Sequence, residues 1–225
     1  MIRFNNQNHT FFNKSLIFFS NLVRKIFKGD RLRRISIKLQ QISREHSLKK
    51  KNKKIVILDY GCGSMEISKR LQKSKHIKKI IGTDIFNFSY KKQKLSYLPY
   101  KKFSKKRIKV DLIIIIDVLH HIGVDRSYKI LNDLSKFSKK IIVKDHFEHG
   151  YYSRQLLRFV DFYANYAYGV KIPKKYFDKE SWQNQIKKTN FKEKKLIKNF
   201  QQHDGVFNLI LNKRHHFISV LEHEN

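Results

Sequence analysis

The sequence predicts an α/β fold built on a mostly parallel sheet with helices on both faces. From residue 55 onward, short apolar runs alternate with amphipathic segments, and a glycine-rich turn follows the first apolar run. The 225 residues suit one such domain with a short extension. Because a parallel sheet is covered on both faces, its strands should be continuously apolar, and residues 110–116 fit this best.

The individual elements follow from the local pattern, taken in chain order. The first five strands are expected at residues 55–58, 79–83, 95–98, 110–116 and 141–144. Helices are expected between them at residues 64–72 and 126–137. The C-terminal third departs from this rhythm, with helices expected at residues 151–168 and 181–189 and strands at 196–200, 206–211 and 216–221.

Residues 1–50 are expected to form a basic helical extension before a core domain of residues 51–225. Apolar residues that recur every three or four positions indicate one helix face, formed by Leu16, Phe19, Leu22 or Val23, and Ile26. Gly29-Asp30 interrupts this pattern, and a second helical stretch is expected at residues 32–46. We expect the helix of residues 11–27 either to cover the functional site or to rest on an anionic membrane surface.

The composition restricts the class of protein but leaves two explanations for its charge. The formal net charge of +32 suits contact with nucleic acid or anionic lipid. The lysines are scattered along the whole chain, however, as expected when an AT-rich genome drifts toward lysine codons. The single cysteine, Cys62, excludes an intrachain disulfide. Since we find no membrane-spanning run and no convincing signal peptide, we expect a cytoplasmic protein that could also contact the inner face of the membrane.

A buried strand that ends in an acid and a glycine-rich turn carries the functional argument: Ile57-Leu58-Asp59-Tyr60-Gly61-Cys62-Gly63-Ser64. Glycines let the backbone adopt unusual torsion angles and lie close to a ligand, and ligands of open α/β sheets bind beyond the carboxyl ends of the strands. Asp84 ends the second strand, 21 residues after Gly63, where its carboxylate could accept hydrogen bonds from ribose hydroxyls.

Two nucleoside cofactors would suit this arrangement, a dinucleotide and S-adenosylmethionine. The dinucleotide fingerprint has a third glycine three positions after the second, where the helix receives the pyrophosphate. Glu66 occupies that position, and its carboxylate would repel a pyrophosphate. The sulfonium and α-amino groups of S-adenosylmethionine tolerate acidic surroundings, and Asp59 is well placed to hold the amine directly or through water. The residues therefore favour S-adenosylmethionine.

At these motifs the chain resembles the class I (Rossmann-like) S-adenosylmethionine-dependent methyltransferases, over residues 55–145. Residues 58–63 (Leu-Asp-Tyr-Gly-Cys-Gly) resemble the family's first motif, residues 81–84 (Ile-Gly-Thr-Asp) its second, and residues 111–122, with Asp-Val-Leu-His-His, its fourth-strand motif. The resemblance implies a seven-stranded sheet, S-adenosyl-L-methionine as cofactor, and methyl transfer by direct displacement. The expected cofactor-binding residues are Asp59, Gly61, Cys62, Gly63, Asp84, Ile85 and Asp117.

Two positions depart from the family's pattern. Met65 stands where the family often has a third glycine, which puts the shape of the cofactor turn in question. Residues 96–100 (Ser-Tyr-Leu-Pro-Tyr) lack the acid that often contacts the adenine after the third strand. Ser96, Tyr97 or the backbone could supply that contact instead.

Ionisable residues follow the fourth and fifth strands, at the edge where the cofactor's methyl group should point. Asp117 is expected either to bind the methionine part of the cofactor or to cap a helix. His120 and His121 could remove a proton from a substrate hydroxyl, or be structural. His146 is the first choice for a general base, with Asp145 orienting an imidazole; the alternative is that His146 caps the next helix.

The segment of residues 159–173 is the expected specificity element, inside an insert of residues 150–190 that should cover the substrate. Its aromatic residues could line an apolar pocket or pack into the core, and Asp161 and Asn165 lie one helical turn apart. His215 and His216 lack nearby acids or thiols, so we expect no metal.

Three functions compete at this stage. The first is methylation of a small molecule or lipid-linked metabolite, favoured by the Asp-Val-Leu-His-His motif and the aromatic insert. The second is methylation of RNA or protein, favoured by the charge, although the chain shows no recognisable RNA-binding module and lacks the Asn/Asp-Pro-Pro-Tyr motif. The third is a binding protein that keeps the fold without turnover, a reading to which Met65 and the missing adenine acid lend weight.

Overall fold

The computed structural model describes residues 11–86, 91–92, 94–106, 108–165 and 169–224. The side chains of the expected apolar face at residues 16–26 lie outside the described part of the chain, and so do residues 166–168 at the end of the expected aromatic helix. No described helix is long and apolar enough to cross a membrane.

One sheet of eight strands organises the described chain. Its strands are β1 (Ile55–Tyr60), β2 (Ile77–Thr83), β3 (Lys91–Lys92), β4 (Leu95–Tyr97), β5 (Leu112–Ile116), β6 (Lys140–His146), β7 (Phe191–Ile197) and β8 (His216–His223). They lie in the order β3-β4-β2-β1-β5-β6-β8-β7. Strands β4, β2, β1, β5 and β6 are parallel, whereas β8 runs antiparallel between β6 and β7. The predicted seven-stranded, mostly parallel sheet is confirmed, and β3 adds a two-residue antiparallel edge strand.

Helices pack on both faces of this sheet. They are α1 (Phe11–Lys49), α2 (Glu66–Leu71), α3 (Tyr100–Phe103), α4 (Leu119–Ile122), α5 (Ser127–Ser135), α6 (Tyr151–Asn165), α7 (Lys179–Lys187) and α8 (Gly205–Ile210). Short 3₁₀ turns at Val124–Arg126 and Lys213–His215 precede α5 and β8.

Helix α1 is continuous, which corrects the break expected at Gly29-Asp30. A glycine inside a helix costs only about 1 kcal/mol relative to alanine. Three residues of the following turns, Leu32, Ile35 and Leu39, are at most 5% exposed and pack against the sheet. Burial of such side chains contributes roughly 1.5–3 kcal/mol each, so packing outweighs the local preference for a break.

Residues 205–210 form helix α8, so the expected strand at residues 206–211 is wrong. The β-branched and aromatic residues there favoured a strand only as a local preference. A further strand in this part of the sheet would have to pair with the edge strand β7, whose Lys192, Lys194 and Lys195 are exposed. Lysines on an edge strand discourage additional pairing. Strand β7 itself begins at Phe191, five residues before the expected start.

The sheet separates two apolar clusters, which explains why its central strands are apolar on both faces. In β5, Ile113 and Ile115 belong to one cluster, and Leu112 and Ile114 to the other, because successive side chains of a strand point to opposite faces. The first cluster packs against α5 and α7, and the second against α1 and α2. The second half of α1 is therefore a layer of the core.

Candidate active site

The turn after β1 forms a backbone cradle through three left-handed residues. Gly61 and Gly63 have φ angles of 73° and 48°, and Met65 has a φ of 59°. A Cβ at Gly61 would lie 2.4 Å from Cγ2 of Val118, so a larger residue does not fit. A Cβ at Gly63 would meet nothing within 4 Å, which leaves open space against the backbone. That space fits a nucleoside cofactor lying on the turn.

Met65 preserves the shape of this turn in place of the family's frequent glycine. Its left-handed torsion angles, φ 59° and ψ 28°, cost a non-glycine residue about 1–2 kcal/mol. The side chain is 1% exposed, and a Cβ at Gly82 would lie 2.7 Å from its Cε. Burial of the thioether against Gly82 offsets the backbone cost, so the cradle is kept despite the departure from the family pattern.

A cavity of about 290 Å³ adjoins the cradle. It lies beyond the carboxyl ends of β1, β5 and β6 and beside the first residue of β8, which starts at the same edge because β8 is antiparallel. Of the sequence-predicted residues, those that line it are Asp59, Gly61, Cys62, Gly63, Asp117, His121 and His146. Those that do not are Asp84, Ile85, His120 and Asp145.

Helices α1 and α6 cover the cavity. Arg31 and Leu32 contribute from α1. The wall from α6 consists of Leu157, Val160, Asp161, Ala164 and Asn165. The expected polar pair of Asp161 and Asn165 is thus present, but the described wall is aliphatic where an aromatic one was considered. Phe159, for example, is 61% exposed.

Asp59 is a buried acid facing the cradle. It is 3% exposed, and the Ser68 hydroxyl donates a hydrogen bond of 2.6 Å to its Oδ2. Burial raises the pKa of Asp59 to about 7. A cationic amine in the cavity would favour the charged form of this carboxyl, so Asp59 fits the α-amino group of S-adenosylmethionine.

Asp84 holds the cradle from the end of β2. Its Oδ2 accepts a hydrogen bond of 2.8 Å from the N–H of Gly63, and its Oδ1 accepts one of 3.2 Å from the N–H of Phe86. The adjacent Ile85 is 80% exposed. Burial raises the pKa of the Cys62 thiol, which agrees with a small residue of the turn rather than a nucleophile.

Asp117 is the centre of a partly buried ion cluster. Its Oδ1 lies 2.5 Å from Nζ of Lys144 and 3.2 Å from Nε2 of His146, and its Oδ2 pairs with Arg31. Burial alone would raise the pKa of Asp117, but Lys144 and Arg31 hold it well below its usual range. The alternative of a helix cap is wrong, because α4 begins without a side-chain cap. The cluster ties α1 to the ends of β5 and β6.

His120 lies behind the cavity wall between two carboxylates. Its Nδ1 is 2.5 Å from Oδ1 of Asp145, and its Nε2 is 3.4 Å from Oδ2 of Asp161. The Tyr176 hydroxyl donates a hydrogen bond of 2.5 Å to the same oxygen of Asp161. Burial lowers the pKa of His120, but the two carboxylates outweigh it and raise the pKa to about 10. His120 is therefore an imidazolium at neutral pH.

His121 lines the cavity with one nitrogen available. Its Nδ1 is 3.1 Å from the carbonyl oxygen of Lys171, and a carbonyl only accepts, so in the neutral ring Nδ1 carries the proton. Burial and the neighbouring His120 imidazolium, whose ring centre is 4.1 Å away, lower the pKa of His121. The result is a neutral imidazole whose Nε2 can accept a proton.

His146, the first choice from sequence, has both ring nitrogens engaged. Its Nε2 faces Asp117 at 3.2 Å, and its Nδ1 is 3.1 Å from Nδ1 of His216. Burial and Lys144 lower the pKa of His146. With Nε2–H donating to Asp117, Nδ1 must accept from His216. No lone pair of His146 is then free for a substrate, although its role as a base stays a prediction.

Within the described part of the chain, one group of side chains offers ligand atoms for a metal. His120, His121 and Asp161 each contribute one atom, all within 4.8 Å of one another. His120 already lies between two carboxylates, and Asp161 accepts from Tyr176, so an ion would have to displace a proton and a hydrogen bond. These side chains are therefore better arranged to hold a proton on His120 than to bind a metal ion.

Three contributors to the site carry no local sequence signal: Arg31, Tyr176 and Gln202. Each acts through a tertiary arrangement, and Arg31 meets Asp117 across 86 positions of sequence. Only a periodic face on the second half of α1 could have suggested that this helix approaches the sheet.

A family model described as "Methyltransferase domain" matches residues 27–195, which is most of the chain. A search of curated proteins finds no match. Among solved structures, the plantazolicin methyltransferase BpumL in complex with a monoazolic desmethylPZN analog and S-adenosylhomocysteine (SAH) is similar, with a TM-score of 0.59 and 13% identity over 94% of this chain and 97% of that one.

Two further solved structures show the same fold. The 1,6-didemethyltoxoflavin-N1-methyltransferase of Burkholderia thailandensis has a TM-score of 0.60 and 10% identity, over 99% of this chain and 94% of that one. A complex of the Haloferax volcanii Trm112 methyltransferase activator with a methyltransferase has a TM-score of 0.59 and 10% identity, over 92% and 98%. With the family match, the cradle and the strand order, the chain belongs to the class I S-adenosylmethionine-dependent methyltransferases.

Proposed function

We propose that the chain methylates a small molecule or lipid-linked metabolite held in the cavity beside the cradle. The charge of the cavity wall carries this proposal. Among the described residues no lysine lines the cavity, although the chain has a net charge of +32. The wall contains four carboxyl side chains and one cation, Arg31, which pairs with Asp117. A nucleic-acid backbone would therefore meet carboxylates where it needs cations.

The size and cover of the cavity support the same substrate class. A volume of about 290 Å³ lies near the lower end of the roughly 300–1,000 Å³ of small-molecule pockets. Leu32 of α1 and Leu157 of α6 contribute apolar side chains to its wall. This favours α1 as a cover of the site, and contact of α1 with an anionic membrane stays the alternative.

The structural relatives support a small acceptor as well. One of them is a 1,6-didemethyltoxoflavin-N1-methyltransferase with 1,6-didemethyltoxoflavin bound, and another is the plantazolicin methyltransferase BpumL with a monoazolic desmethylPZN analog bound. The Trm112 complex is a reminder that some members of this fold work with a protein activator.

For the cofactor we retain the residues expected from sequence. Asp59 would hold the α-amino group and Asp84 the ribose hydroxyls, while Asp117 keeps the rim of the cavity in place through its ion cluster. The cradle residues Gly61, Cys62 and Gly63 would contact the cofactor with their backbone, with Ile85 beside the adenosine. We also retain residues 51–225 as the catalytic domain, with residues 150–190 as its substrate-covering insert, and the second half of α1 completes its core and its cavity.

When bound, S-adenosyl-L-methionine supplies an electrophilic methyl group on its sulfonium. The part of this chain is to hold the acceptor in line and to take its proton. We assign the proton to Nε2 of His121, an acceptor in the cavity wall. His120, Asp145 and His146 would position this imidazole and the rim rather than touch the substrate.

Incubation with methyl-labelled S-adenosylmethionine and fractionated cell extract tests the proposal. We expect label in a low-mass or lipid fraction, unaffected by nuclease or protease. The His121→Ala variant should lose this label, and His149→Ala, an exposed histidine outside the cavity, should keep it. Label confined to RNA or protein would contradict the proposal.

A further inference from the structure

The loop between β7 and α8 places a carboxamide, that of Gln202, in the cavity wall. Gln202 is 1% exposed and lines the cavity. The loop is held on both sides: the N–H of Phe200 donates to the carbonyl of His216 at 3.0 Å, and Arg34 of α1 donates to Asp204 at 2.5 Å. The sheet and α1 therefore fix the position of the amide before any ligand arrives.

Both polar ends of this amide lack a partner within the described part of the chain. Oε1 and Nε2 of Gln202 are buried, and neither has a hydrogen bond. Buried polar groups of folded proteins are nearly always paired, and an unpaired buried amide lowers stability. Because Gln202 faces a cavity, the molecule that fills the cavity can supply the missing partners.

The two histidines beside Gln202 in the cavity wall are neutral. Burial, reinforced by Arg31, lowers the pKa of His203 to about 4, so its ring is uncharged at neutral pH. Burial also lowers the pKa of His216 well below its usual range, and its buried Nε2 has no hydrogen-bond partner in the described part of the chain. Leu211 completes this part of the wall. A flat, uncharged ring suits such a wall better than a phosphate or carboxylate does.

This part of the wall lies at the opposite end of the cavity from the cradle. Strands β5 and β6 lie between β1 and β8, and three strand spacings of about 4.8 Å separate their ends by roughly 14 Å. The ribose site at Asp84 follows β2, one strand farther away. Gln202 therefore faces the space left for the methyl acceptor.

We propose that Gln202 determines acceptor specificity, and that the acceptor is a neutral planar heterocycle with a lactam edge. In such an edge a ring N–H and a ring carbonyl lie side by side. Oε1 of Gln202 accepts from the ring N–H, and Nε2 donates to the ring carbonyl. The inference rests on the proposed function, because it names the substrate class of the same cavity.

Two small probes test this recognition, 2-pyridone and N-methyl-2-pyridone, which differ in the ring N–H. Their affinities are measured by saturation-transfer NMR titration in the presence of saturating SAH. Wild type should bind 2-pyridone about tenfold more tightly or better. The Gln202→Leu variant should bind both probes equally while its affinity for SAH is unchanged. Gln41→Leu, the same change at an exposed position of α1, should keep the wild-type preference.

Equal affinity of wild type for the two probes, or a preference that survives Gln202→Leu, would overturn the inference. Melting temperatures establish that the variants fold, and Gln202→Glu, which keeps an oxygen to accept from the ring N–H, should retain the preference for 2-pyridone. The labelled-extract experiment tests the proposed function independently of the two probes. Label in the low-mass fraction without probe discrimination refutes the lactam edge alone, whereas label confined to RNA or protein refutes the proposed function.

Discussion

Replacement of Asp117 by asparagine should leave Lys144 as a buried, unpaired cation. The Lys144 side chain is 0% exposed, and its Nζ lies 2.5 Å from Oδ1 of Asp117. Removal of one partner of a buried ion pair costs about 3–5 kcal/mol. Arg31, the other strong partner, has a side chain that is 31% exposed and can turn to water. The unpaired lysine should therefore dominate the loss.

The free energy needed to deprotonate Lys144 sets an upper limit to this loss of stability. Instead of staying charged without a partner, the buried amine can release its proton. From an ordinary lysine pKa of about 10.4, deprotonation at pH 7 costs about 4.6 kcal/mol. The estimate from the broken ion pair and the limit from lysine deprotonation agree. Asp117→Asn should therefore lower the free energy of unfolding by about 3–5 kcal/mol.

Urea unfolding of wild type, Asp117→Asn, Lys144→Met and the double variant measures this loss. The double variant should recover most of it, because both charges are removed together. As a control, Asp133→Asn breaks an exposed ion pair with Lys136 and should cost no more than about 1 kcal/mol. A loss for Asp117→Asn no larger than that of the control, or a double variant no more stable than Asp117→Asn, would refute the reasoning.

The same cluster predicts the direction of the pH dependence. The pKa of Asp117 is depressed in the folded state. Its contribution is therefore fully present above the unfolded-state pKa of about 3.9 and is lost as the pH falls through the folded-state pKa. On the acid side, the stability difference between wild type and Asp117→Asn should begin to shrink below about pH 4.

Two further predictions concern catalysis and cofactor binding. His121→Ala should lower turnover by roughly 100-fold or more, with SAH affinity unchanged. His146→Ala should have a smaller effect, because both nitrogens of His146 are engaged. Equal turnover of wild type and His121→Ala, at matched folded fraction, would contradict the assignment of the base. Affinity for SAH should fall as the pH is lowered through about 7, where Asp59 becomes protonated. Calorimetry across this range should show the fall in wild type, and Asp59→Asn should show a flat profile; a flat wild-type profile would exclude Asp59 as the partner of the amine.

Local patterns determine the central strands and the cradle, so these could be predicted from sequence. The apolar run that became β5 contains residues for both apolar clusters, and only a strand buried on both faces needs such a run. Gly61 and Gly63 have positive φ angles, and those angles are the physical reason for glycine at these positions.

Contacts between segments that are distant in sequence determine the rest of the fold and of the site, and no local sequence pattern predicts such contacts. The break expected at Gly29 did not occur, because the sheet buries the turns that follow it. Asp117 could be identified as a site residue, but its partner Arg31 lies 86 positions away. The engagement of His146, which makes His121 the better base, depends on His216 at the start of β8. Gln202 belongs to a loop whose sequence resembles any polar connection.

Binding of the cofactor at the cradle is measured most directly by calorimetric titration of SAH and NAD into wild type, Asp84→Ala and Asp125→Ala. Wild type should bind one SAH per chain and no NAD. Asp84→Ala should weaken SAH binding by about 1–3 kcal/mol through loss of the ribose hydrogen bonds. Asp125→Ala, the same change at an exposed position outside the cavity, should bind as wild type does. Binding of NAD in place of SAH, or SAH binding that is unaffected by Asp84→Ala, would contradict the assignment of the cofactor site.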